Sequence, residues 1–372
     1  MLKKCLLGLA AGCCIFFFGL SDAAEVKTTA PANSFTTVLM KPSSSEAKPL
    51  TLTVTGTGII GENLIVAGGL DLGDKAQYSK NVYAALLKEK QKRVKWVKVG
   101  ELPEPIAYTA NVTGDKAVYL IGGSNASGDK AGITELKLEN NAVKCDVISY
   151  LPVTITKSGG AKLGDYVYIV GGLHNGKASN DMYRLNLQNV KKGWEKLAPY
   201  PENPRVQPIV AVQKDASGKE KLFFWGGYTP KQGNNKAVIS CGGYKYDPAT
   251  NKWKALGAPL DSEGKRIYLG AGIAAPLGED QIVAVGGHNF ENLQLELGDK
   301  PLDYHKHEKE WYKLNQEVFS YNTVENKWNK LGTHVELAKI NAGAAVKGKT
   351  LYSILGETKP GTACATVARL EF

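Results

Sequence analysis

A short apolar strand ending in glycine recurs six times along this chain of 372 residues, and no other feature restricts its folding options so much. The copies are Leu64–Gly69, Val118–Gly123, Val167–Gly172, Leu222–Gly227, Ile282–Gly287 and Leu351–Gly356. The first five close on Gly-Gly; the sixth reads Gly356-Glu357. They lie about 50 to 70 residues apart, a period typical of units that cannot bury their apolar face alone. Each has the same company. A strand of small residues precedes it, as in Ala271–Leu277 and Ala342–Val346. A Tyr strand follows, as in Met182–Leu185 and Tyr244–Pro248, and then a Trp strand beginning at Trp96, Trp194, Trp253 or Trp328. In the second copy Val147–Pro152 takes the place of the Trp strand.

Four short strands per unit, repeated around a ring, leave only short protected edges. Small side chains suit inner strands crowded around a channel. An indole suits the roomier outer strand, where it packs between neighbours. The chain is therefore expected to be all-β: a six-bladed kelch-type β-propeller. The last unit, Ile340–Phe372, supplies only three strands. Phe35–Met40, followed by Lys41-Pro42, resembles an outer strand without its Trp, so an N-terminal strand closing the last blade is expected. Such a clasp ties the termini down.

Residues 1–24 read as a signal peptide: Lys3 and Lys4, an apolar run Leu6–Leu20, then Ser21-Asp22-Ala23-Ala24. That run is too short for a stable membrane span. A lipoprotein leader ending before Cys13 is a second reading and leaves a very short leader. The expected location is periplasmic or secreted, with residues 25–372 forming one domain. Beyond the leader remain Cys145, Cys241 and Cys364, an odd number at wide spacing, which is neither a disulfide framework nor a zinc signature. The formal net charge of +10 is dispersed along the chain, and without aromatic-basic interleaving no nucleic-acid partner is expected.

Between Gly287 and Val318 the rhythm breaks, giving a lid-like insert at about 288–317. Within it, Tyr304–Glu317 reads as a charged amphipathic helix. Long loops in compact domains are often lids or binding loops. Following an inner strand, the insert should project on the channel face that also receives Glu357. The sequence has no nucleophile elbow, P-loop, dinucleotide fingerprint or zincin motif. His305-Lys306-His307-Glu308 has no third ligand at fixed spacing, and two residues spaced by two on a helix face apart. No metal and no cofactor are expected. Glu357 is the informative exception in the repeat: a carboxylate over a channel mouth is placed for general acid/base work.

Gly356-Glu357-Thr358-Lys359-Pro360-Gly361 resembles the motif G-E-x-K-P-G-x-R of the bacterial sialic acid mutarotases, the N-acetylneuraminate epimerases, which are exported kelch propellers. Gly286–Asn289, the insert with Asn315, Phe319–Tyr321, Trp328 and Ala342–Val346 are also similar. The order is shifted. The first two units here resemble the family's last, while Pro204-Arg205-Val206-Gln207 and Phe223–Gly227 resemble an early one, so the chain looks like a cyclically permuted branch. A closed ring tolerates such a shift.

The resemblance implies a small-molecule sugar ligand, acidic in the family, and isomerase activity on its anomers. Glu357 matches the family's acid/base residue, with Arg205, Gln207, Asn289, Asn315 and Lys359 as implied substrate-binding residues. The motif's arginine falls at Ala363, and alanine cannot replace a guanidinium fork on a carboxylate. Arg205 is the first candidate to supply the missing cation, followed by Lys359 and Arg266. A non-catalytic glycan- or protein-binding propeller is the alternative in a different functional class; the absent arginine favours it, while Gly356-Glu357 and the intact insert favour the enzyme.

Overall fold

The computed structural model describes residues 35–45, 48–73, 75–298 and 300–372. The expected signal peptide lies outside the described residues. The protein is all-β. Its main strands form six sheets: five are antiparallel with four strands in chain order, and the sixth takes its fourth strand from the N-terminal segment. The first sheet is Gly56–Ile60, Asn63–Ala67, Asn81–Leu86 and Val97–Glu101; the second is Ala110–Thr113, Val118–Ile121, Gly132–Glu139 and Ala142–Tyr150. The third is Gly159–Leu163, Tyr166–Val170, Met182–Asn186 and Glu195–Leu197; the fourth is Ile209–Lys214, Glu220–Trp225, Gly243–Asp247 and Lys252–Leu256. The fifth is Ile273–Leu277, Gln281–Val285, Glu317–Asn322 and Lys327–Thr333. The sixth joins Gly343–Lys347, Thr350–Ile354 and Val367–Glu371 to Thr36–Pro42, whose end adds a short parallel pairing with Arg93–Val94.

The first strands of successive sheets touch in cyclic order, the sixth returning to the first. Close approach explains their small residues. A Cβ on Gly159 would lie 2.2 Å from Val210 of the next sheet, and one on Gly343 would lie 2.1 Å from Thr57. Second strands such as Val118–Ile121 are buried at every position because both faces are covered, so they read as continuous apolar runs. The outer indoles reach backwards. Trp253 Nε1 donates to Ala198 O at 2.8 Å and Trp328 Nε1 to Gly257 O at 3.1 Å, each tying its sheet to the segment that leaves the preceding outer strand. Trp225 is fully buried, with its ring centroid 4.8 Å from Tyr321 and 4.9 Å from Trp328 in edge-on contacts. Such pairs add about 1 kcal/mol beyond area burial.

Thr36–Met40 pairs with Glu371–Val367 over five registered positions, as an N-terminal clasp requires. Met40 is buried against Val94 and Trp96, and Phe35 meets Phe372 at 5.9 Å between ring centroids. Cys145, Cys241 and Cys364 are free thiols.

Two sequence expectations need correction. The helix of the insert is Phe290–Leu297, not Tyr304–Glu317. Asn289 caps it by accepting from the Asn292 amide, whereas the later charged stretch makes only short 3₁₀ turns at Tyr304–Lys306 and Lys309–Tyr312. Those turns bury Tyr304, Tyr312 and Leu314 against Ala271 and Ile340, which anchors the insert to the sheets. The second correction concerns the sixth glycine strand. In the other copies both glycines have positive φ, for example 64° at Gly122 and 97° at Gly123; in the sixth those conformations fall on Leu355 (53°) and Gly356 (90°). Leu355, not Glu357, replaces a glycine of the pair. Its side chain is fully buried in the cluster of Leu52, Val66 and Trp96 at the ring junction, whereas a Cβ on Gly122 would collide with Ile155 O at 2.1 Å.

Candidate functional site

Two sets of six equivalent positions build the site. One is the residue that enters each sheet, two positions ahead of its first strand: Val54, Tyr108, Lys157, Gln207, Ala271 and Asn341. All six adopt positive φ between 47° and 59°. Their backbones are linked in series. Tyr108 N donates to Val54 O, Lys157 N to Tyr108 O, Gln207 N to Lys157 O, Ala271 N to Gln207 O and Asn341 N to Ala271 O, at 2.8–3.1 Å. The other set directly follows the glycine pair: Leu70, Ser124, Leu173, Tyr228, His288 and Glu357. The residue just before a first-set position bridges to the second set, as Ile340 does with Glu357 and Val206 with Tyr228.

These positions surround a cavity of about 290 Å³, near the lower end of the range for ligand pockets. Tyr108, Lys157, Gln207 and Asn341 line it from the first set, and Leu70, Tyr228, His288 and Glu357 from the second. Leu293, Glu296, Leu297 and His305 of the insert complete the wall, so the insert and Glu357 share one face.

Glu357 is 7% exposed and accepts three hydrogen bonds. Thr53 Oγ1 donates to Oε1 at 2.7 Å, Asn341 Nδ2 to Oε1 at 2.9 Å and the Gly361 amide to Oε2 at 2.8 Å. Asn341 is itself fixed by Gln207 Nε2, which donates to its Oδ1 at 3.0 Å. An ionised carboxylate offers about four lone-pair sites. Three are taken by the protein, which leaves capacity for one proton donor from the cavity. Burial raises the Tyr108 pKa, with a further contribution from the Glu357 charge, and burial pushes Tyr228 up to about 12. Both phenols are therefore neutral donors at physiological pH. Burial lowers His288 to about 4, so its imidazole is uncharged there too.

The other expected binding residues divide. Gln207 lines the cavity and supports Asn341. Arg205 does not reach it: the residue is 1% exposed and its side chain is ion-paired with Glu202. Its guanidinium donates to Gly226 O and Gly242 O and faces the rings of Phe224 and Tyr244. Its arginine fork holds sheet-to-loop packing, so the correction is from ligand contact to scaffold. Asn289 and Asn315 line a neighbouring cleft of about 550 Å³ instead. There Asn289 caps the helix and Asn315 Nδ2 donates to Tyr268 O at 2.5 Å. Lys359 Nζ donates to His307 O at 2.7 Å, fastening the Glu357 hairpin to the insert. Arg266 is exposed and outside the cavity lining. Among the described residues no group of three or more His, Cys, Asp or Glu is placed to hold a metal. No helix among them is long and apolar enough to cross a membrane.

Sequence reasoning missed Thr53, Tyr108, Lys157 and Asn341. Their shared signal is position, since the last three each lie two residues ahead of a small-residue strand.

Fold and site together describe an all-β repeat protein that presents a firmly held carboxylate in a small polar cavity. The chain belongs to the N-acetylneuraminate epimerase family, whose model matches residues 149–372. It is similar to N-acetylneuraminate epimerases of Pasteurella multocida (29% identical over 237 residues; 59% of this chain, 58% of that one) and Haemophilus influenzae (27% over 236; 60% and 58%). A third, from Yersinia enterocolitica, is 29% identical over 234 residues, covering 58% of this chain and 55% of the relative. The matched region thus spans little more than half the length of these relatives.

Proposed function

We propose that this protein is an exported, six-bladed kelch-type propeller that accelerates anomer interconversion of a sialic acid or related sugar. The observation that carries the reading is Glu357, gripped by Thr53, Asn341 and Gly361 at the cavity wall with one acceptor direction left over. Cyclic contact between the six sheets and the N-terminal clasp support the propeller. The family match covers the third to fifth sheets and three strands of the sixth and leaves nearly all of the first two sheets outside it, which supports a permuted order. Residues 1–24 support export to the periplasm or beyond.

In the mechanism, Glu357 removes the proton of the anomeric hydroxyl. The bond from the anomeric carbon to the ring oxygen breaks, the carbonyl forms, and the ring oxygen takes up a proton from Glu357 or water. Rotation of the carbonyl face and the reverse steps give the other anomer. A positioned acid/base group contributes typically 10²–10⁴-fold to such a transfer. Magnetisation-transfer NMR on N-acetylneuraminate and on neutral aldoses tests this. Wild type should exceed buffer exchange, and Glu357→Gln should lose at least about a hundredfold of the excess. Unaltered exchange for every sugar removes the enzyme reading, and acceleration that survives Glu357→Gln removes that residue. The replacement of the motif arginine by Ala363 favours a second reading, a glycan- or protein-binding propeller without catalysis. Sugar binding without any acceleration would establish that one.

A further inference from the structure

We propose that Lys157 is the cation that receives the carboxylate of an acidic sugar in this protein, in place of the arginine absent at position 363. Ala363 pairs with Glu357 across the hairpin, so a cation there would sit next to the acid/base residue. Lys157 enters the third sheet, three sheets away from the sixth sheet that carries Glu357.

Elimination and environment both point to it. Arg205 is consumed by Glu202 and two carbonyls, Lys359 by a carbonyl of the insert, and Arg266 is exposed. Among the described residues Lys157 is the one Lys or Arg lining the cavity. Among the described residues its ammonium has no hydrogen-bond or ion-pair partner; it lies over the Tyr108 ring, 5.2 Å from the centroid. Burial lowers its pKa, and Asp129 and Glu296 act on it only at longer range. A half-buried ammonium without an anion recovers its desolvation cost when a carboxylate arrives. Its backbone is held between Tyr108 O and the Gln207 amide, so the stem starts from a fixed point.

The inference rests on reading the cavity as a sugar site, but not on catalysis there. Its test compares N-acetylneuraminate with its methyl ester, which keeps the ring and removes the charge. Calorimetry on the Glu357→Gln protein, where turnover is switched off, gives the acid-to-ester affinity ratio. With Lys157 in place the acid should bind about ten- to a hundredfold more tightly. Adding Lys157→Met should bring the ratio near one, and Lys157→Arg should restore most of it. A preference that survives Lys157→Met, or a ratio near one with Lys157 present, overturns the proposal. Failure of the mutarotase reading shows differently, as absence of anomer exchange in the wild type whatever the affinity ratio.

Discussion

Replacing Gly122 by alanine measures how the repeat is built. Gly122 has φ 64°, and an added Cβ would stand 2.1 Å from Ile155 O and 2.3 Å from Ile155 Cγ2. Neither obstacle is the far end of a flexible chain; both belong to the segment entering the third sheet. Gly164 is the comparison: its φ is 56°, and nothing lies within 4 Å of its added Cβ. Both substitutions incur the left-handed backbone penalty, roughly 1–2 kcal/mol. Only Gly122→Ala also displaces packed backbone, adding about 1–3 kcal/mol by analogy with overpacked cores. The expected losses are therefore about 2–5 kcal/mol at Gly122 and about 1–2 kcal/mol at Gly164. Urea unfolding followed by tryptophan fluorescence reads both, provided the slopes match wild type. Equal losses would refute the reasoning, because the glycine would then serve only backbone conformation and not contact between neighbouring sheets.

His288 makes stability depend on acid. Its folded pKa is near 4 against 6.5 for the free group, so the unfolded chain binds the extra proton between those values. Stability from this group is complete above pH 6.5 and falls as pH drops, by about 2 kcal/mol at pH 5 and about 3 kcal/mol at pH 4. Urea unfolding at pH 7 and pH 5 should show a smaller pH-dependent loss in His288→Gln than in wild type; identical losses contradict it. A chain beginning at Ser43 lacks the strand that covers Val367–Glu371 and the buried Met40. Its melting temperature should fall by at least about 5 °C, and a shift below about 1 °C in calorimetry would show that the clasp adds nothing.

The strands were legible because their surroundings select residue types: Val118–Ile121, buried at every position, reads as a continuous apolar run, and Gly343–Lys347, crowded by Thr57 of the first sheet, reads as small residues. The N-terminal clasp could be read from a missing fourth strand. The helix was misplaced because Tyr304–Glu317 alternates charge and aromatic residues at helical spacing, while the aromatics in fact pack inward from short turns. Glu357 was found at a misaligned position, since Gly356 matches the second glycine of the pair and Leu355 the first. That leucine became visible as the odd residue only through its dihedral angles. Lys157 lay in an unremarkable Thr-Lys-Ser stretch, and nothing in its neighbours announces a cavity. Arg205 looked like a ligand contact for the opposite reason: a guanidinium in a matching motif says nothing about which carbonyls it meets.

The hydrogen bonds that run from Val54 to Asn341 use only main-chain atoms, and the six residues they join are Val, Tyr, Lys, Gln, Ala and Asn. This series of five main-chain links is therefore indifferent to the side chains it carries. Each position is a socket of fixed direction into which evolution can plug an acid, a cation, an amide or nothing, without renegotiating the scaffold. Side chains at these positions can change while the main-chain links that hold them stay the same.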